Sequence, residues 1–134
     1  MPIRKPLKIR IGELSERTGQ SVHTIRWYEQ QGLLPPVPRM GSHRIYSNRH
    51  VEWLHLLARL RASGMSVADL RRYTASAQRG APGIPTTLDL LETHRGRVQE
   101  AIIQWERALA LVDAKIAYYR QWQATGERPE HATG

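Results

Sequence analysis

From Leu88 onward, apolar side chains recur at alternating intervals of three and four residues. They are Leu88, Leu91, Val98, Ile102, Trp105, Leu109, Val112, Ile116 and Tyr119, with Arg95 the only interruption in the register. This spacing keeps returning to one line along a helix, which is the seam of a coiled coil. A helix over residues 86–122 would be roughly 55 Å long at about 1.5 Å per residue. That is too long to fold back on so small a head, so it needs a partner helix, and the simplest partner is its copy in a second subunit. Thr86 is placed to cap this helix, with Asp89 well placed for its positive start.

Ahead of the seam, residues 11–30 (IGELSERTGQSVHTIRWYEQ) read as two short helices, about 11–18 and 22–31, joined by a tight turn at Gly19. Leu14, Val22, Ile25 and Tyr28 fall where two crossed helices need apolar contacts, and Ser15 is small enough for a close approach. Glycine at position 19 takes a positive φ cheaply. Ser21 can cap the second helix. Its outward face then carries His23, Arg26, Trp27 and Gln30, which suits an anionic partner.

Gly32 ends that helix, and Pro35, Pro36 and Pro38 forbid another. Residues 37–46 (VPRMGSHRIY) hold a turn signal at Gly41-Ser42 between short extended pieces, so a β-hairpin is expected. A third helix over about 48–62, capped by Ser47, and a fourth from Ser66 to about 76 form a second pair. The chain therefore divides into a basic tail (1–8), a head (9–78), a Pro/Gly linker (79–85), the long helix (86–122) and a flexible tail (123–134).

Charge is distributed unevenly. The net charge is +8, yet residues 1–80 hold 14 Lys and Arg against 5 Asp and Glu, whereas residues 81–134 hold 6 against 7. The helix-turn-helix thus lies in the basic half, which points to a polyanion. No apolar run approaches membrane-spanning length, and MPIRKPLK lacks the apolar core of a signal peptide. The expectation is a cytoplasmic protein that does not bind membranes. With no cysteine there is no disulfide, thiolate metal site or thiol switch.

Arg26 sits midway along the second helix, where a guanidinium reaches phosphate or a guanine edge in a major groove. His23 is a candidate base contact, although histidines are ordinary on helix surfaces. Trp27 and Tyr28 are divided between backbone contact and core packing. On the hairpin, Arg44 is placed to reach phosphate, with Tyr46 one alternation further on the same face; Arg39 and His43 are weaker candidates. Arg71 and Arg72 read as a solvated helix face. No histidine pair with ligand spacing appears, so neither a metal nor another cofactor is expected. No phosphate loop, nucleophile elbow or catalytic carboxylate pair marks an enzyme. Trp105, Tyr118, Tyr119 and Trp122 offer an aromatic pocket for a small organic effector, although heptad packing already explains Trp105 and Tyr119.

The pieces IGELSERTG, SVHTIRWYE, GLLPP and HRIYS, the SGMSVADLRRY turn, and a long terminal helix ending AKIAYYR stand in the order and spacing of MerR-type transcriptional regulators. The chain resembles that family over about residues 8–122. The resemblance implies a mainly α fold: a winged helix-turn-helix, a second helix pair, and a C-terminal helix forming an antiparallel coiled-coil dimer. It also implies double-stranded DNA as partner. Val22, His23, Arg26, Trp27, Tyr28, Arg39, His43, Arg44 and Tyr46 are the contacting set. RNA polymerase is then affected indirectly, through distortion of the promoter. Two departures stand out. Trp27-Tyr28 replaces the family's usual pair of tyrosines, and the cysteines of metal-sensing branches are missing. Three readings remain open: an effector-responsive regulator, an effector-independent repressor or DNA-bending protein, and a coiled-coil interaction module.

Overall fold

Gly19, at φ 69°, ends helix α1 (Ile11–Thr18) in the left-handed conformation and lets the chain turn directly into α2 (Val22–Gln30). The structure is a computed structural model that describes residues 8–130. The expected basic tail, Lys8 apart, lies outside the described residues. The elements that follow are β1 (Arg39–Met40), β2 (His43–Arg44), α3 (Asn48–Ala62), α4 (Val67–Gln78), a 3-10 turn (Ala81–Gly83) and α5 (Ile84–Thr125). The architecture is mainly helical, as expected. The described residues divide into two compact units, one ending at Glu92 and the other beginning at Thr93.

In the first unit, serine caps open two helices. The Ser21 hydroxyl accepts from the Thr24 N–H at 3.0 Å and the Ser66 hydroxyl accepts from the Asp69 N–H at 3.1 Å, each satisfying an orphan donor. Leu14, Ile25, Leu33, Leu54, Leu57 and Leu70 are completely buried. Burial of each such side chain contributes about 1.5–3 kcal/mol. The GLLPP segment is clamped by the second helix pair. The Trp53 indole N–H donates to the Leu33 carbonyl at 2.7 Å, and its ring stacks on Tyr73 at 5.6 Å. The turn between α1 and α2 is tied to α3 by the Gln20 amide, which donates to the Leu54 carbonyl at 3.2 Å.

The long helix begins earlier than expected. α5 starts at Ile84, so Thr86 lies within its first turn and is not its cap, and Asp89 lies beyond that turn. Pro85 does not prevent this start, because a proline in a first turn lacks only an N–H that has no helical acceptor. The Thr87 hydroxyl instead bonds back to the Gly83 carbonyl at 3.0 Å. Leu88 is half exposed, Leu91 packs partly against the core, and Leu90, outside the heptad register, is buried.

In the second unit, the seam positions face solvent in the single chain. Trp105 is 76% exposed and Leu109 60%, and Ile102, Val112, Ile116 and Tyr119 are also exposed. Toward the end of α5, Tyr119 stacks on Trp122 with ring centroids 6.2 Å apart. Arg128 turns back to donate to the Tyr118 hydroxyl at 3.0 Å.

Candidate nucleic-acid interface

Helix α2 divides its residues between two environments. Ile25 and Tyr28, three apart and so on one face, are buried, whereas His23, Arg26 and Gln30 are exposed. Val22 is half-buried. Trp27 lies between these faces, partly packed against the core, tilted against Tyr28 at 5.4 Å. The Arg61 guanidinium, near the end of α3, sits 5.9 Å from the Trp27 ring centroid, within cation–π range. Tyr28 therefore packs in the core, one of the two places between which its spacing divided it. Its spacing from Ile25 carries it inward.

The hairpin forms as the turn signal suggests, with Gly41 at φ 67°. Its register pairs Arg39 with Arg44 and Met40 with His43. Between this wing and α2 opens a cleft of about 360 Å³, lined by Arg10, Arg26, Glu29, Gln30, Arg39, Ser42, His43 and Arg44, with Ile11 and Tyr46. The structure thus brings Arg26, Arg39, His43 and Arg44 to one opening. Four arginines and one carboxylate, Glu29, line the cleft.

Tyr46 departs from its expected position beside Arg44 on the wing surface. It is 1% exposed, because it leaves the hairpin and forms an isolated antiparallel bridge with Ile9. The two residues exchange backbone hydrogen bonds of 2.9 and 2.8 Å. Its hydroxyl donates to Glu29 Oε1 at 2.7 Å. Burial raises the phenol's pKa above the usual tyrosine value, against the opposing effect of Arg44 and Arg26 nearby. Glu29 Oε2 is paired with the Arg44 guanidinium.

The sequence alone does not single out Arg10, Glu29 and Ser42, which line the cleft, or Arg61, which lies beside Trp27, and it gives Gln30 on the outward face no role. Arg10 arrives through the Ile9–Tyr46 bridge, a pairing with no local sequence signal. Arg71 is not merely solvated, since its guanidinium reaches back to the Gln31 carbonyl at 3.2 Å and to the Gln31 side chain. His50 is a structural residue. Its Nδ1 accepts from the Ser47 N–H at 3.0 Å in a capping box, and Nε2 points at the Pro36 carbonyl, 3.4 Å away. Burial pushes the imidazole below the usual histidine value, partly opposed by the Pro36 and Pro35 carbonyls.

Known proteins are similar to this chain in sequence and in fold. The model of the MerR HTH family regulatory protein matches residues 9–77. An HTH-type transcriptional regulator of Haemophilus influenzae is 34% identical over 114 residues, covering 84% of each chain. The crystal structure of HiNmlR, described as a MerR family regulator lacking the sensor domain and bound to promoter DNA, superposes with a TM-score of 0.81. It is 31% identical and covers 90% of this chain and 97% of that one. The transcription regulator PbrR691 from Ralstonia metallidurans CH34, in complex with lead(II), gives a TM-score of 0.57 at 31% identity, over 80% of this chain and 85% of that one. With the winged helix-turn-helix, the basic cleft and these relatives in hand, the chain belongs to the MerR family of helix-turn-helix transcriptional regulators.

Proposed function

We propose that this regulator binds a palindromic promoter site as a homodimer and distorts the DNA to control transcription, affecting RNA polymerase indirectly. The observation that carries the reading is the cleft between α2 and the wing, where Arg10, Arg26, Arg39 and Arg44 converge. The exposed edge of α2 is sized for a major groove, and guanidiniums on a wing suit the flanking phosphates. His23 and Gln30 are exposed on α2 with Arg26, and base edges are their proposed targets. Trp27 contributes its exposed edge. Dimerisation is supported by the apolar seam, since a Trp at 76% exposure in a regular heptad register needs cover.

The proposed signal is a non-thiol effector, such as a small organic molecule, because the chain holds no cysteine. A second reading, an effector-independent repressor or DNA-bending protein, is favoured by the likeness to HiNmlR. That protein is described as lacking the sensor domain, and it is covered over 97% of its length.

Salt titration of binding to the duplex upstream of its own gene tests the proposal. Phosphate contacts make log K fall linearly with log salt, by about 0.9 per contact. The expected result is a steep line and a two-fold symmetric footprint. Absence of binding at low salt would sink it.

A further inference from the structure

A carboxylate in a phosphate-binding cleft weakens the attraction of that cleft for DNA. Among the lining residues Glu29 is the sole acid, and its side chain is only 13% exposed. Both of its oxygens are engaged. Oε1 accepts from the Tyr46 hydroxyl at 2.7 Å and Oε2 holds the Arg44 guanidinium. Neither anchor is free to drift. Tyr46 is fixed to Ile9 by its two backbone bonds, and Glu29 stands one helical turn after the fully buried Ile25.

The wing also contains an electrostatic conflict. Arg39 and Arg44 are direct cross-strand partners, and like charges in that position repel. A carboxylate on one edge of Arg44 offsets the repulsion. It also leaves the rest of the planar guanidinium fork with its donors directed by the bond already made. We propose that Glu29 is a positioning residue. It fixes Arg44 relative to the recognition helix, so that the wing meets a phosphate only when α2 is seated in its own site. Glu29 thereby raises discrimination between DNA sequences at the expense of general affinity.

This inference rests on the DNA-binding reading above, and its test separates the two. A duplex selected by the wild-type protein from a random pool is compared with a scrambled duplex of the same composition, across a salt series. Glu29→Gln removes one negative charge per protomer. It should bind the scrambled duplex several-fold tighter, with a salt slope steeper by up to about 0.9 per released arginine. The selected duplex should gain nothing or lose, so that the specificity ratio falls about tenfold. Tyr46→Phe keeps the charge and the packing but removes the anchor of Glu29. It should lower the ratio through weaker binding of the selected duplex, with scrambled binding unchanged.

Equal tightening on both duplexes in Glu29→Gln would show that the carboxylate only subtracts charge, and would overturn the proposal. So would an unchanged ratio in Tyr46→Phe, the milder variant, which decides the matter if Glu29→Gln melts at the assay temperature. A wild-type protein that selects no sequence overturns the DNA reading and this inference with it. One that selects while both variants keep its ratio overturns this inference alone.

Discussion

Gly83 sits so close to Ser76 that a Cβ built on it would lie 1.9 Å from the Ser76 carbonyl oxygen. The 3-10 turn that leads into α5 thus docks on the end of α4 almost backbone to backbone. The Ser76 and Thr87 hydroxyls complete the contact at 2.8 Å. Gly83→Ala forces a backbone to move, and such overpacking costs about 1–3 kcal/mol. Denaturant titration should show that loss; a midpoint equal to wild type would mean that the α4–α5 junction yields freely.

His50 should make stability depend on pH. Its pKa in the folded protein lies below the usual 6.5 because burial disfavours the charged ring. Above pH 6.5 the imidazole is neutral in both folded and unfolded chains, and its contribution is constant. As pH falls below 6.5 the unfolded chain binds the proton first, so stability is lost progressively toward the folded value. His50→Gln keeps an acceptor for the Ser47 N–H and removes the titration. Its melting temperature should fall less than that of wild type between about pH 7.5 and 5.5. Parallel curves would show that His50 carries none of the dependence.

Arg26 stands on the exposed face of α2, away from the core. Arg26→Ala should therefore leave the free energy of unfolding within about 0.5 kcal/mol of wild type, while operator affinity drops by about tenfold or more. An unfolded variant would show that Arg26 is structural.

The seam can be broken at two of its exposed positions. Ile102→Lys combined with Leu109→Lys places charges on a line of apolar contacts and should yield monomers by sedimentation, with operator binding lost at concentrations that saturate the wild type. A dimer persisting in this double variant would refute the seam as the dimer contact.

Much of this fold was legible because its signals are local. Ile25 and Tyr28 share a helix face by spacing alone, Ser21 and Ser66 announce helix starts, and Gly19 and Gly41 mark turns. What the sequence hid depends on partners distant along the chain. Tyr46 turns inward because Ile9 pairs with it, and no periodicity within VPRMGSHRIY carries that information. Pro82 and Pro85 suggested a linker, yet prolines are equally at home in the turn that opens a helix. The Glu29–Arg44 pair, joining helix to hairpin, was invisible for the same reason. Arg26, Arg39 and Arg44 could be listed from the sequence, whereas Arg10 and the carboxylate paired with Arg44 required the fold.

The nine residues of α2 also bound how such a regulator can change its target. Ile25 and Tyr28 are committed to the core, Trp27 is shared between the core and Arg61, and Glu29 is committed to Tyr46 and Arg44. Only His23, Arg26 and Gln30 are exposed. Drift toward a new operator has three positions through which to pass without disturbing the packing. On the proposed reading of α2, a combinatorial library confined to those three would sample the sequence preferences this helix can express with its packing intact.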